Sequence, residues 1–343
     1  MLPKSGDLSN PSNWRPIAIL KVTYKIFARV LHGRLKHQLY QEQSDEQMGF
    51  MPARSTEDAL LVLETVISKA IDYHVPLFFA SLDLKKAFDR ILWPQLFEAL
   101  DAQGVPRPYL KILSAIYRKQ IGRLGADNIF DIKRGVRQGD VLSPLLFNAG
   151  LEMVMRRWQT RLRDHGLKLE PGCRSRRLSH VRFADDLIVY ANSLGELTEM
   201  LDMLNEELQR VGLELNAKKS RIFTLYQHLY DNASEVLVDT AGDFINVVRS
   251  SDYHTYFGHR FPGDLKNRGR AMLANRLRCA WAKFNAFRAA LTNKHVDFDL
   301  RARLFDSIVT PTALYGLSTA PLTANDVEKL ASTQRHMSGR LSC

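Results

Sequence analysis

The stretch 181–190, Val-Arg-Phe-Ala-Asp-Asp-Leu-Ile-Val-Tyr, constrains this chain more than any other. β-Branched and aromatic residues run up to two adjacent aspartates and then resume, the pattern of two strands joined by a tight turn. Asp185 and Asp186 are then expected at the tip of a hairpin. Two neighbouring carboxylates repel each other strongly away from bulk water, so holding them together calls for a cation. An exposed Asp-Asp turn on a surface hairpin is the plain alternative, and the other segments must decide between the two.

A second acidic position stands out. The run 75–84 is almost continuously apolar and ends in Ser81-Leu82-Asp83, which suits a buried central strand that delivers Asp83 at its end. Asp83 and Asp185 lie 185 − 83 = 102 residues apart, so no local turn explains them together. Strands of one sheet could gather them around two Mg²⁺ ions. Such a pair, roughly 3.5–4 Å apart, clamps the attacking and leaving oxygens of an in-line phosphoryl displacement. Mg²⁺ takes hard oxygen ligands and few carboxylates, the rest being water and substrate phosphate. Three aspartates on a basic chain suit nucleotidyl transfer better than hydrolysis of a small molecule.

The chain is basic: 48 Lys and Arg against 37 Asp and Glu give +11 over 343 residues, with a pI near 9.6. A polyanionic partner follows, and nucleic acid is the natural one. The segment 260–306 alone holds eleven Lys/Arg and four Asp/Glu, or 11 − 4 = +7. Hydrophobic content of 45% and charged content of 25% are those of an ordinary globular protein. No apolar run is long enough to span a bilayer and no signal-peptide pattern opens the chain. Cys173, Cys279 and Cys343 are too few and scattered for a disulfide framework or a zinc site. These features predict an intracellular protein, nuclear or cytoplasmic, with no membrane partner.

Along the chain, 4–15 reads as a loop or short hairpin. The segment 24–39 reads as an amphipathic helix with Phe27, Leu31, Leu35 and Leu39 on its buried face. Ser55 and Asp58 form a capping-box pattern ahead of a helix that buries Leu60, Leu63, Ile67 and Ile71. Helical patterns follow at 93–103 and 108–119, with a broken strand-like stretch at 121–136. Ser143-Pro144 opens another helix, and a basic loop at 174–177 leads into the Asp-Asp hairpin. The helix over 196–211 ends at Gly212. The stretch 253–258 is a short strand candidate. From Lys266 the pattern is helical, with Leu273, Leu277, Ala280, Phe284, Phe287 and Leu291 on one apolar face and Arg270, Arg276 and Lys283 off it. A subdomain boundary is expected near 262.

Seven blocks in order resemble the reverse transcriptase domain of non-LTR (LINE-type) retrotransposons. They are Asn13-Trp14-Arg15-Pro16-Ile17; Gln47-Met48-Gly49-Phe50 with Arg54-Ser55-Thr56; and Ser81 through Asp89. Then come Gly135-Val136-Arg137-Gln138-Gly139-Asp140 with Ser143 through Asn148, and Phe183-Ala184-Asp185-Asp186. Gly212 through Asn216 with Lys218-Lys219-Ser220, and Tyr256-Phe257-Gly258, complete them. Pro311 through Gly316 resembles a stretch that the family carries beyond its thumb.

The resemblance implies an α+β right-hand polymerase with an antiparallel palm sheet and a helical carboxy-terminal thumb. Fingers would cover 1–75, the palm with inserted finger elements 76–262, and the thumb and its extension 263–343. It implies RNA-directed DNA synthesis from deoxynucleoside triphosphates on an RNA template with a DNA primer, using two Mg²⁺ ions or Mn²⁺. Asp83, Asp185 and Asp186 would hold the metals with the carbonyl of Leu84. Phe88 would exclude a 2′-hydroxyl, a core aromatic being the competing reading. Gln138 and Gly139 would pack on the incoming nucleotide, and Lys4 and Arg15 would reach its triphosphate, Arg15 with the better-matched planar fork. Lys219 fits the acid that protonates pyrophosphate, with Lys218 adjacent. Asn148, expected to face outward, would report on sugar or template, or make a plain helix hydrogen bond.

The chain departs from the family at Met51, where arginine is frequent, and at Ala53, where glycine is. The resemblance also implies an amino-terminal extension and an upstream endonuclease that are not read in these residues, so a truncated copy or a piece of a longer protein is expected. A group II intron-type reverse transcriptase with maturase function, and a catalytically silent RNA-binding relic, are the alternative readings.

Overall fold

The computed structural model describes residues 2–341 except 4–6, 8, 11–12, 125–127, 170–176, 230, 232–236 and 241–242. Its strands, in chain order, are β1 (Leu2–Pro3), β2 (Trp14–Arg15), β3 (Phe78–Leu82), β4 (Ile121–Leu124), β5 (Asn128–Asp131) and β6 (His180–Phe183). They continue as β7 (Asp186–Ala191), β8 (Arg221–Thr224), β9 (Leu237–Thr240), β10 (Asp243–Val247), β11 (Tyr253–Tyr256) and β12 (His259–Pro262). Six of them form the main sheet in the order β6-β7-β3-β8-β10-β9, and β1-β2, β4-β5 and β11-β12 are separate ribbons.

The apolar run at 75–84 is continuous because its strand is buried on both faces. Every residue of β3 is buried. Phe78, Ala80 and Leu82 join Leu187, Val189 and Ala191 in a core beneath the helices Val22–Gln41, Ser143–Arg161 and Leu194–Arg210. Phe79 joins Ile188, Tyr190 and Phe223 in a second core, under the helix Thr56–Asp72, the β11-β12 ribbon and the helix Arg268–Ala286. The two-residue period of a strand thus divides one hydrophobic run between two cores. A third, smaller core packs Ala280, Phe284, Leu291, Phe305 and Met337 among the carboxy-terminal helices.

Several local expectations hold. Ser55 and Asp58 form a reciprocal capping box, Gly212 lies at φ +80, and among the described residues no strand follows Pro262. Others do not. Phe27 is 44% exposed, and Ala28 with Leu31, Leu35 and Leu39 makes the buried face. The expected antiparallel sheet does hold, with one parallel junction between β10 and β8. Arg276 is buried, not off the apolar face. The basic loop at 174–177 lies outside the described residues except for Arg177, as does Cys173. No helix among the described residues is long and apolar enough to cross a membrane.

Two buried ion pairs cross between layers. Arg182 of β6 pairs with Glu152 of the helix Ser143–Arg161, both essentially inaccessible, and Arg182 also donates to Ser44 Oγ at 3.1 Å. Arg268 donates Nε to Glu64 at 2.5 Å and Nη2 to Ser68 Oγ at 2.8 Å, fastening its helix to Thr56–Asp72. Removing one partner of such a pair leaves an uncompensated buried charge, at a cost of about 3–5 kcal/mol. Glu152→Ala is therefore expected to lower urea-unfolding stability by about that amount, with Glu152→Leu/Arg182→Met recovering most of it. A loss under about 1 kcal/mol in the single variant would show that water already reaches Arg182.

Candidate active site

The pairing of β3 with β7 ends at Leu82↔Leu187, so the next residues outward on the two strands are Asp83 and Asp186. The pairing of β6 with β7 ends at Phe183↔Asp186, which leaves Ala184 and Asp185 as a two-residue turn. Asp185 therefore sits in the turn itself, and Asp186 opens the strand rather than sharing the tip. Three carboxylates from two distant segments meet at one sheet end.

The turn is held from below. Ala184 takes a left-handed backbone at φ +58, a conformation that costs a non-glycine residue roughly 1–2 kcal/mol. Buried Gln47 supports it: its Oε1 accepts from Ala184 N at 3.0 Å and from Gly49 N at 2.8 Å. Met48 N donates to Arg182 O at 2.8 Å, and Arg182 N to Glu46 O at 2.9 Å. A side chain on Gly49 would strike the Ala184 backbone, so glycine is needed there for close approach. Asn148 closes this network, accepting from Gln47 Nε2 at 3.3 Å and donating to Gly49 O at 2.8 Å. Asn148 is 2% exposed and does not face outward: it positions the turn. Gln47 and Gly49 act on the turn through backbone contacts from a distant segment, which their residue types alone do not signal.

Negative charge is concentrated at this end of the sheet. Burial, then the charges of Asp185 and Asp83, pushes the Asp186 carboxyl up to about 7. Burial also raises Asp185, with Asp83 adding to the rise and Arg15 opposing it. Asp83 is held in place by Asn216, whose Nδ2 donates to Asp83 Oδ2 at 2.8 Å and whose backbone N donates to Asp83 O at 2.8 Å. Ser220 Oγ accepts from Asp83 N at 3.2 Å. Asn216 is thus a site residue that sequence reasoning passed over, although it closes the Gly212–Asn216 block.

Asp83 and Asp186 line a cleft of about 280 Å³ with Lys218, Lys219, Arg221 and the β11 residues from His254 onward. Both lysines reach the cleft, which does not separate them as candidates. Leu84 is buried and bridges Leu215 immediately beyond Asp83. Phe88 is half-buried, stacked on Phe147 at 4.5 Å and 16° and meeting Phe50 edge-on at 6.4 Å. Phe50 in turn lies 6.5 Å from Phe183, and Phe183 lies 5.4 Å from Phe257. An aromatic strip therefore passes beside the aspartates.

Gln138 donates Nε2 to Asp89 at 2.9 Å, and its carbonyl accepts from Ala18 N at 2.8 Å. Gly139 lies at φ +99. Arg15, in β2, is close enough for its charge to act on Asp185. Lys4 lies outside the described residues. Ala53 sits at φ +56, which accounts for the glycine frequent there: the turn is kept at the cost of strain.

Among the described residues no group of three or more His, Cys, Asp or Glu side chains is already arranged to hold a metal ion. The donor set still fits a hard divalent cation. Asp185 and Asp186 both hold protons more tightly than ordinary carboxylates, and an open site that leaves ligand positions to water and phosphate is how Mg²⁺ is usually bound.

The model of the family "Reverse transcriptase (RNA-dependent DNA polymerase)" matches residues 2–261. The Pol polyprotein of a type-1 retrotransposable element R2 from Popillia japonica is 31% identical over 225 residues, 64% of this chain and 31% of that protein. The R2DM Pol polyprotein of Drosophila melanogaster is 28% identical over 222 residues, 64% of this chain and 20% of that protein. The chain thus spans a third or less of these two relatives. The fold is similar to that of apo telomerase from Candida tropicalis, with a TM-score of 0.51 over 93% of this chain and 57% of that one, at 13% identity. That likeness shows a right-hand polymerase fold. With this family model matched over residues 2–261, most of its length, the chain belongs to the reverse transcriptase family.

Proposed function

We propose that this domain is an RNA-directed DNA polymerase core that adds a deoxynucleotide to a primer 3′-hydroxyl on an RNA template. The observation that carries this reading is the convergence of Asp83, Asp185 and Asp186, with a raised Asp186, on a chain of net charge +11. In this reading residues 1–75 act as fingers, 76–262 as palm and 263–343 as thumb.

Asp83, Asp185 and Asp186, with the Leu84 carbonyl, would hold two Mg²⁺ or Mn²⁺ ions. When bound, these ions supply neutralisation of phosphate charge and activation of the hydroxyl. The residues around them orient the reactants. Arg15, on the Asp185 side, binds triphosphate oxygens with its guanidinium. Gln138 and Gly139 tie the segment at 17–18 to the palm and form the nucleotide's flank. Phe88, fixed by its stack on Phe147, meets the sugar and bars a 2′-hydroxyl. Lys219, with Lys218 as its rival, delivers a proton from Nζ to the leaving pyrophosphate. The basic thumb helices follow the backbone of the template–primer, which makes binding salt-sensitive.

Primer extension with Mg²⁺ on an RNA template tests the reading. Asp185→Ala is expected to lower the rate by at least about 10³-fold, the scale of losing a principal electrostatic stabiliser. Salt-sensitive binding of template–primer without extension by the unaltered chain would instead favour a silent RNA-binding relic. Phe88→Ala is expected to raise the efficiency of ribonucleotide incorporation relative to deoxynucleotide by about tenfold or more, as steric exclusion of one hydroxyl is relieved. Unchanged discrimination would assign Phe88 to the core.

A further inference from the structure

The turn joining β11 to β12 consists of Phe257 and Gly258, since the ribbon's last pair is Tyr256↔His259. Both residues are left-handed, at φ +49 and φ +72. Gly258 adopts this freely, but Phe257 does so only if its surroundings hold it. Each turn carbonyl is captured from the carboxy-terminal helices. Tyr315 donates its hydroxyl to Phe257 O at 3.0 Å. Buried Arg276 donates Nη2 to Gly258 O.

The Tyr315 hydroxyl also meets Thr56 Oγ1 at 3.2 Å, at the first residue of the helix Thr56–Asp72. Its ring stacks on buried His259 at 4.9 Å and 20°. Burial, with the Arg276 charge, lowers His259 to about 4, so that ring is neutral near pH 7. Gly316, at φ +67, lies directly over the imidazole, which any side chain there would strike. The tyrosine-glycine pair is therefore required by the contact itself: tyrosine for its hydroxyl and ring, glycine for clearance.

The other side of the turn faces the aspartates. The Phe257 ring packs edge-on against Phe183, two residues before Asp185. Residues 255–257 line the same cleft as Asp83 and Asp186. We propose that Tyr315 is a positioning residue for nucleotide addition, its hydroxyl latching the Phe257 carbonyl so that the β11-β12 turn is held against the catalytic hairpin. This rests on the polymerase reading above and adds a residue far along the chain to its machinery. The latch joins the three regions read as fingers, palm and thumb at one oxygen.

Tyr315→Phe keeps the ring on His259 and removes only the hydroxyl. In the full 343-residue chain, the rate of single-nucleotide addition at saturating substrates is expected to fall about tenfold, since small misplacements beside reacting groups have effects of this order. Affinity for an RNA-templated DNA primer, and the melting temperature, are expected to stay near those of the unaltered chain. Hydrogen exchange of the 253–262 amides is expected to rise selectively in the variant. An unchanged exchange rate in this ribbon overturns the latch whatever the activity. Faster exchange with an unchanged addition rate in an active enzyme overturns the positioning role. If the unaltered chain adds no nucleotide, the polymerase reading fails, and with it the positioning role, while the exchange measurement still decides the contact.

Discussion

The pairing of β3 with β7 is the interaction on which the rest depends. It sets Asp83 beside Asp186 from segments about a hundred residues apart, and its two-sided burial anchors both cores. The register is tightly specified, because a slip of one residue would exchange the residues of the two cores. The sheet therefore acts as a rigid frame, and the acidic turn is its end. Gln47, Gly49 and Asn148 extend that rigidity to the turn itself, through hydrogen bonds to backbone that no other strand pairs.

This arrangement sets folding energy against function. Desolvated carboxylates destabilise a protein unless a cation joins them. The sign follows from Asp186: its folded carboxyl is raised to about 7 against an ordinary 3.8. Its contribution to stability is full below the lower value and is lost as pH rises through 7. At neutral pH the metal-free domain is thus strained at the site where the proposed chemistry takes place. The buried pairs Arg182–Glu152 and Arg268–Glu64 lie beside this frame and brace it from both faces.

Much of this was legible in the sequence, for identifiable reasons. Long apolar periodicities at 60–71 and 146–158 and the continuous run at 75–84 report burial directly, and the acidic positions stand at the ends of such runs. What was not legible depends on tertiary contact. Phe27 fits a helical stripe as well as Ala28 does, yet Ala28 is the buried one, with Leu31, Leu35 and Leu39. The four-residue β8 and the parallel β8-β10 junction have no period long enough to be read. Asn148 and Arg276 look like surface residues until their partners, Gly49 O and Gly258 O, arrive from distant segments. Ala53 keeps a left-handed turn without glycine, so the residue type conceals the backbone.

Burial, together with the neighbouring carboxylates, keeps Asp186 protonated up to about pH 7, and a divalent cation at this cluster would have to displace that proton. Mn²⁺ binding to the intact chain, followed by electron paramagnetic resonance between pH 6 and 8, tests it most directly. Affinity is expected to strengthen with pH by up to about tenfold per unit below pH 7, as the metal displaces the Asp186 proton into solvent, and to level off above it. Asp186→Asn should remove most of that pH dependence. Affinity independent of pH in the unaltered chain, or a pH dependence untouched by the substitution, would contradict it.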